Sequence, residues 1–453
     1  MYACMYNRFH RDYLSGGFTM ANHVQLFCDF IQKSPSAFHA CQNICDMLKS
    51  SSYAPLSESQ PWSLVPGGKY YVTRNRSSVI AFAIPETGFA HFQIVSSHSD
   101  SPTFKLKHIC EDESAGHLRL NVERYGGMIM STWFDRPLSI AGRLLVKEDG
   151  GLKTKLVDLG RDAVLIPNMP IHFNREVNDG FKYNPQVDLL PLYGGKDCRG
   201  MLKAELANAA GVQSDAIVSQ DLFLYARQPG TVWGAKNEFF SCPRIDDLEC
   251  AYTSAAAFLG SEAVGHINVL AVFDNEEVGS SSRQGADSTF LTDVFARIGA
   301  ALGASDSEIR AAIASSFMAS ADNAHAVHPN HPEKYDALNR TFMNGGVVIK
   351  HNANQKYTTD AVSCAIFSSL CEKAGVPVQH FANRSDVLGG STLGNIANTH
   401  ASMNTVDIGL AQLAMHSAVE TAGCADVDYM IRALTSLYTN NIAVTADGEI
   451  TIG

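Results

Sequence analysis

The stretch "HINVLAVFDNEEVGS", residues 266–280, decides how this chain is read. The apolar run INVLAVF has the length of one buried strand, and an uninterrupted run of this kind belongs to a sheet covered on both faces. It stops abruptly at Asp274, Asn275, Glu276 and Glu277, with a glycine two residues on. A turn needs only one Asp or Asn. Two adjacent glutamates repel each other, and an acidic loop in water is the plain explanation of the pair. The rest of the chain has to show whether they have work to do.

Working outward, helical and strand patterns alternate beyond residue 240. "PRIDDLECAYTSAAAFLG" reads as a helix, with Asp246 at its start, and "TFLTDVFARIGAALG" and "TDAVSCAIFSSLCEKAG" read as two more. "SSFMASAD", "GGVVIK" and "VQHFA" are strands between and after them. Such alternation predicts an α/β fold, a central sheet flanked by helices. Near the start, "SPSAFHACQNICDMLKS" (34–50) predicts a helix capped by Ser34 with Pro35 at its first position. Strands follow at 69–74, 78–84 and 91–98. From about 104 to 238 the texture changes to short alternating strands, two of them joined by the hairpin turn "EDGG" (148–151). The chain therefore divides into an N-terminal extension (1–22), a first part of the α/β unit (23–103), an inserted β-rich unit (104–238) and the second part of the α/β unit (239–453).

Composition narrows the function. With 453 residues, 45% of them hydrophobic and 18% charged, the chain has ample material for a core. No run approaches the length of a membrane span. The net charge of −11 argues against nucleic acid or an anionic membrane surface as partner. Eleven cysteines without a CxxC pair fit free thiols in a reducing, cytoplasmic setting. The first twenty residues lack the apolar core of a secretory signal, and Met20 reads as the start of the folded protein.

Ligands of α/β sheets bind beyond the carboxyl ends of the strands. Those ends carry a consistent set: His98 and Asp100, Glu276 and Glu277, Asp322, and Asp246 at a helix start, with His416 far downstream. Singly, His98 reads as a strand-end histidine, Asp246 as a helix cap and His416 as a core histidine. Together they are imidazole and carboxylate ligands suited to Zn²⁺, Mn²⁺ or Co²⁺. They are too many for one tetrahedral ion and enough for two sharing a carboxylate. One of the adjacent glutamates can then ligate while the other takes a proton from an attacking water.

The motifs that carry these residues are "SSHSDSP", "TWFDRPLSIAGR", "PRIDDLECAY", "DNEEVGSSSRQGA", "SADNAHAVHPNHPEKY", "VIKHNANQKYTTDAVS", "RSDVLGGSTLGNI" and "VDIGLAQLAMHSAVE". In this order, from about residue 25 to 440, they resemble the M18 metallopeptidases, the aspartyl aminopeptidases. The resemblance implies two zinc ions per subunit, with Asp246 bridging, His98 and Asp322 on one ion, and Glu277 and His416 on the other. It implies Glu276 as general base and Asp100 as the carboxylate that orients His98. It places substrate contacts on His325, Lys350 and Tyr357, and on His172 from the inserted β-rich unit, in a segment where Pro167 and Pro170 predict an extended loop. It further implies removal of N-terminal Asp or Glu from peptides, a dimerisation role for the insert, and assembly as a tetrahedral dodecamer. The sequence departs from the family at "IDD", usually Leu-Asp-Asn, which adds a charge at Asp247, and at Gly389, where many eukaryotic members have Cys.

An acidic protein that takes an acidic side chain must place positive charge locally. Lys350 is one candidate for that charge and Lys356 the other, and spacing does not choose between them. Two other readings remain open from sequence: a dinuclear aminopeptidase or deacylase of broader specificity, and a metal-binding assembly or cargo protein without activity.

Overall fold

The computed structural model of the chain describes residues 20–453. Residues 1–19, most of the stretch read as an extension, lie outside the described residues, and Met20 opens the first helix, Met20–Gln32. Nine strands form the main sheet, in the spatial order Ala54–Leu56, Lys69–Arg74, Ser78–Ala83, Ile267–Phe273, Phe92–His98, Phe317–Ala321, Asn404–Gly409, Val347–His351 and Val378–Ala382. The four strands at its centre, from Ile267–Phe273 to Asn404–Gly409, run parallel. The sheet is mixed, because Ser78–Ala83 and Val347–His351 pair antiparallel to this block.

The central strands are buried along almost their whole length because helices cover both faces. Along Ile267–Phe273, Leu270 and Val272 enter one core, while Val269, Ala271 and Phe273 enter the other. The first core is closed by helices Ala37–Ser50, Ile245–Leu259, Ala361–Ala374 and Cys424–Thr439, the second by Phe290–Leu302 and Leu393–His400. Burying a Phe or Leu side chain contributes roughly 1.5–3 kcal/mol. The polar tip of fully buried Tyr438 is satisfied as well, since its hydroxyl donates to the Val269 carbonyl (2.9 Å).

Strand Phe92–His98 runs almost directly into a second, six-stranded sheet that lies between Thr103 and Ala226. This sheet has its own core, which includes Phe104, Trp133, Ile140, Leu144 and Leu222. The hairpin expected at "EDGG" joins Leu138–Glu148 to Gly151–Asp158. Thr231–Trp233 and Phe239–Cys242 belong to a third, five-stranded sheet, where Phe239–Cys242 pairs with Glu420–Gly423.

Two local expectations are corrected. The second helix starts at Ala37, not Pro35, and its cap position is Ser36, whose extended backbone places Oγ 2.8 Å from His39 Nδ1. Asp246 is not a helix cap. Asp246 and Asp247 have non-helical backbone angles, and regular helix begins only beyond them.

Candidate metal centre

The parallel register brings the carboxyl ends of the central strands to one edge. Phe273 lies opposite His98, and Ala321 opposite Ile408. The sequence after Phe273 then turns sharply. Asn275 takes a left-handed conformation (φ 64°), which Asn tolerates better than most residues, and Glu276–Val278 form one tight turn. The turn is held by Asp100: the backbone N–H groups of Glu276 and Glu277 donate to its two oxygens, at 3.1 and 3.2 Å. One carboxylate thereby fixes the backbone of both glutamates.

Asp100 also holds His98. Its Oδ1 is 3.3 Å and its carbonyl oxygen 3.1 Å from His98 Nδ1. The other nitrogen, Nε2, faces Asp246 Oδ1 at 3.6 Å, with Asp247 Oδ2 and Glu276 Oε2 each at 4.0 Å. On the far side of Asp246, Oδ2 is 3.4 Å from His416 Nε2, which is 3.4 Å from Glu277 Oε2. The two oxygens of Asp246 therefore face two different histidines. Three overlapping ligand groups result: His98–Asp246–Asp247–Asp322 and Asp246–Glu277–His416, which share Asp246, and His98–Glu276–Glu277, which links the two.

The electrostatics ask for cations. Asp246 Oδ1, Asp247 Oδ1 and Glu277 Oε1 are buried without a hydrogen-bond partner, and an orphaned buried acceptor is costly. Burial raises the pKa of Glu277 far above the carboxylate range, and Asp246 adds to the shift. Burial and the neighbouring Asp322 and Asp100 push Glu276 up to about 8, against the opposing pull of His98. Burial disfavours a charged His98, yet Asp247 and Asp100 outweigh it and raise its pKa well above normal. Acids this crowded and dry are stable as anions only beside concentrated positive charge. The residues present fit two divalent cations.

The family described as Aminopeptidase I zinc metalloprotease (M18) matches residues 30–438. The chain belongs to the M18 family. It is a metallo-aminopeptidase, a hydrolase built around a dinuclear metal-binding cluster. Among its relatives, a probable M18 family aminopeptidase 2 of Clostridium acetobutylicum is 45% identical over 420 residues, covering 90% of this chain and 97% of the relative. Its counterpart in Pseudomonas aeruginosa is 39% identical over 424 residues, covering 91% and 97%. Among solved structures, a chain of the Ape4 and Nbr1 complex superposes with a TM-score of 0.90 at 35% identity, covering 92% of this chain and 86% of that one. One chain of the mApe1 dodecamer of S. cerevisiae superposes at 0.81 with 29% identity, covering 92% of this chain and 96% of that one.

Of the remaining residues singled out from sequence, the M18 site gathers three. Lys350, 3% exposed, lies with Nζ 3.8 Å from Asp322 Oδ1 and 5.5 Å from the centre of the Tyr357 ring. Burial works against its charge, but Asp322 and then Tyr357 outweigh burial and raise its pKa. His325 lies beside them, exposed, with its ring 5.9 Å from that of Phe381. Lys356 is exposed in the loop before Tyr357. His172 lies apart from this group, exposed on the second lobe. The segment around it is not the extended loop its prolines predict but a turn, closed by bonds from the N–H groups of Phe173 and Asn174 to the Pro170 carbonyl (2.9 and 3.2 Å).

Sequence reasoning missed four participants. Asp247 stood out only as an extra charge, yet its carboxylate accepts from the His98 N–H (3.0 Å) and joins a ligand group. Glu420 accepts from the N–H groups of His416 (2.7 Å) and Asp246 (3.1 Å), fixing the backbone at both ends of the second group. Tyr125, from the β-rich lobe, donates to Asp100 Oδ2 (2.7 Å) and accepts from Asn275 Nδ2 (2.8 Å). The Gly127 carbonyl bonds His416 Nδ1. The "YGG" that ends strand His117–Tyr125 was the available signal, since paired glycines mark a close backbone approach. A Cβ on Gly126 would lie 3.1 Å from that of Glu277, at a backbone φ of +75°.

Proposed function

We propose that the protein removes an acidic residue, Asp or Glu, from the N-terminus of peptides. The observation that carries this reading is Lys350: a buried ammonium beside the metal-binding cluster, next to an aromatic ring and a histidine open to solvent. A cation in a dry site is poised to pair with a substrate carboxylate, and a neutral side chain there would leave it less well satisfied.

In this reading His98, Asp246 and Asp322 hold one ion, and Asp246, Glu277 and His416 the other, with zinc fitting the ligand set and Mn²⁺ or Co²⁺ as substitutes. Bound there, the ions supply Lewis acidity to the peptide carbonyl and lower the pKa of water towards ~7. Glu276 is the base. Its side chain is 16% exposed against 4% for Glu277, so it is the one of the pair open to an incoming water. It takes a proton from the water as the oxygen bonds to the carbonyl carbon. It returns that proton to the amine nitrogen as the C–N bond breaks. Asp100 keeps the His98 ring oriented and fixes the backbone of the two glutamates.

Replacing Lys350 by Met is the test. We expect kcat/KM for Asp- and Glu-peptides to fall by about two orders of magnitude, mostly through KM, as loss of a roughly 3 kcal/mol buried pairing implies. Leu- and Ala-peptides should change little. An equal loss on all four means that Lys350 serves folding rather than selection, and the broader-specificity reading then stands.

The assembly follows the same reasoning. The chain superposes on one chain of a dodecamer, and the exposure of His172 on the β-rich lobe, with Met169, Ile171 and Phe173 exposed around it, supports a contact with a neighbouring subunit. We take the lobe (residues 104–238 from sequence) as the dimerisation unit of a homo-oligomer, a tetrahedral dodecamer, with His172 completing the partner's substrate site. A His172→Phe variant should assemble and hold metal yet turn over poorly. Subunit exchange with a Glu276→Gln variant should restore part of the activity, because some sites then pair two intact residues. No recovery, or full activity in isolated monomers, excludes a role across the interface.

No helix among the described residues is long and apolar enough to cross a membrane. Every described cysteine is free, which fits the reducing conditions of a cytoplasmic location.

A further inference from the structure

One more group of metal-type ligands lies away from the dinuclear cluster. His351 ends the strand Val347–His351, and His380 sits in the middle of Val378–Ala382, the outermost strand of the main sheet. The two strands pair in parallel with Ile349 opposite His380, so the period of two puts His351 and His380 on one face, as diagonal neighbours. Ile349, on that face, enters the core closed by helix Ala361–Ala374. Cys364 lies in the first turn of this helix. The start of the helix is fixed by reciprocal bonds between Asp360 and Ser363 (Ser363 N–H to Asp360 Oδ1, 2.8 Å; Asp360 N–H to Ser363 Oγ, 3.0 Å), so the thiol is set by a rigid element. Lys350, one residue earlier, points to the opposite face and to the substrate site.

One ligand atom from each of His351, Cys364 and His380 lies within 4.8 Å of the other two. His351 Nε2 and His380 Nδ1 are 3.0 Å apart, and their rings are inclined by 35°. Tetrahedral zinc with ligands at ~2.0–2.3 Å spaces its ligand atoms roughly 3.3–3.8 Å apart. The trio therefore needs only small side-chain rotations to meet that spacing. His380 is exposed and the other two are half-buried, so an ion has a path in and a remaining position open to water. Burial and the nearby His380 lower the pKa of His351, which keeps its ring in the neutral form that ligates. Two imidazoles and a thiolate form a borderline-to-soft set, distinct from the imidazoles and carboxylates of the active site.

We propose that His351, Cys364 and His380 form a separate site for a single zinc-class divalent cation on the reverse face of the strand that presents Lys350. The thiolate gives it a signature that the active site lacks. Cobalt(II) bound to sulfur shows a thiolate-to-metal charge-transfer band in the near ultraviolet, and cobalt held by imidazole and carboxylate does not. Full-length protein is loaded with Co²⁺, freed of excess metal, and assayed for cobalt content and near-ultraviolet absorption. We expect a third equivalent with the sulfur band. Cys364→Ser should lose the band and keep the two active-site equivalents, which also shows that the variant is folded. His380→Asn, at an exposed position, should weaken the third equivalent by more than the roughly 10–100-fold that loss of an outer-shell partner costs. The proposal is overturned if the wild-type protein shows no sulfur band, if the band survives in Cys364→Ser, or if His380→Asn binds the third equivalent as tightly as the wild type. Where one variant does not fold, the other carries the test.

Discussion

Glu276→Gln is expected to keep its metals and lose roughly 10²–10⁴ of its turnover. Gln has the shape of Glu and no basic oxygen, so the water is neither deprotonated nor the leaving amine protonated. The backbone bonds from residues 276 and 277 to Asp100 do not involve the exchanged side chain and should persist. Glu277→Gln separates the two roles. Its carboxylate lies 3.4 Å from His416 Nε2 with one oxygen orphaned, so its change should lower metal content first and activity as a consequence. Excess zinc should partly rescue Glu277→Gln and leave Glu276→Gln unchanged. The reverse pattern means that the adjacent glutamates have exchanged roles.

Asp246→Asn should have the larger effect, since Asp246 is shared by the two ligand groups proposed to hold the ions. The amide offers one neutral oxygen where the carboxylate faces a histidine on each side, at 3.6 and 3.4 Å. We expect metal content to fall below one equivalent and activity to fall further than in Glu276→Gln. Stability should move in a diagnostic way. Burial opposes the charge of Asp246, but His416 and His98 outweigh burial and lower its pKa, so the anion stabilises the metal-free fold and the metal-free variant should unfold below metal-free wild type. Adding zinc should raise the Tm of the wild type, because a ligand at 100 times its Kd contributes about 2.7 kcal/mol. The variant should gain little of this. A variant that binds two equivalents and shifts normally in Tm rules out a shared ligand.

How far the sequence could be read depended on whether a residue's role is local. INVLAVF followed by Glu276 and Glu277 announced both a covered strand and an end with metal-ligand chemistry, because burial and the end of burial are written in consecutive residues. His98 and Asp322 were legible for the same reason, as polar residues at the ends of apolar strands. His416 was only weakly so: it sits at a left-handed position in a loop (φ 67°), where periodicity gives no cue. Tyr125 and Glu420 acquire their roles only when remote segments meet, and no pattern within a short window encodes such a meeting. The misplaced helix start at Pro35 has a different origin. Ser34 and Ser36 both satisfy the capping pattern, and the fold, not local preference, selects Ser36. The turn at Ile171–Phe173 shows the same limit, since prolines fix their own φ and leave the path between them open.

The hydroxyl of Tyr125 and the carbonyl of Gly127 bear on modularity. The second sheet looks like a cassette, with its own core and a single strand leading into it. Yet the chain that leaves its strand His117–Tyr125 braces Asp100 and His416 within the space of three residues. A chimera that exchanges this cassette between relatives at its obvious seams would inherit a foreign brace, and its catalytic half would be complete in sequence and slack in geometry. The transplantable piece is smaller than the lobe and cuts across it: residues 125–127 travel with the catalytic half, and the sheet behind them is free to vary.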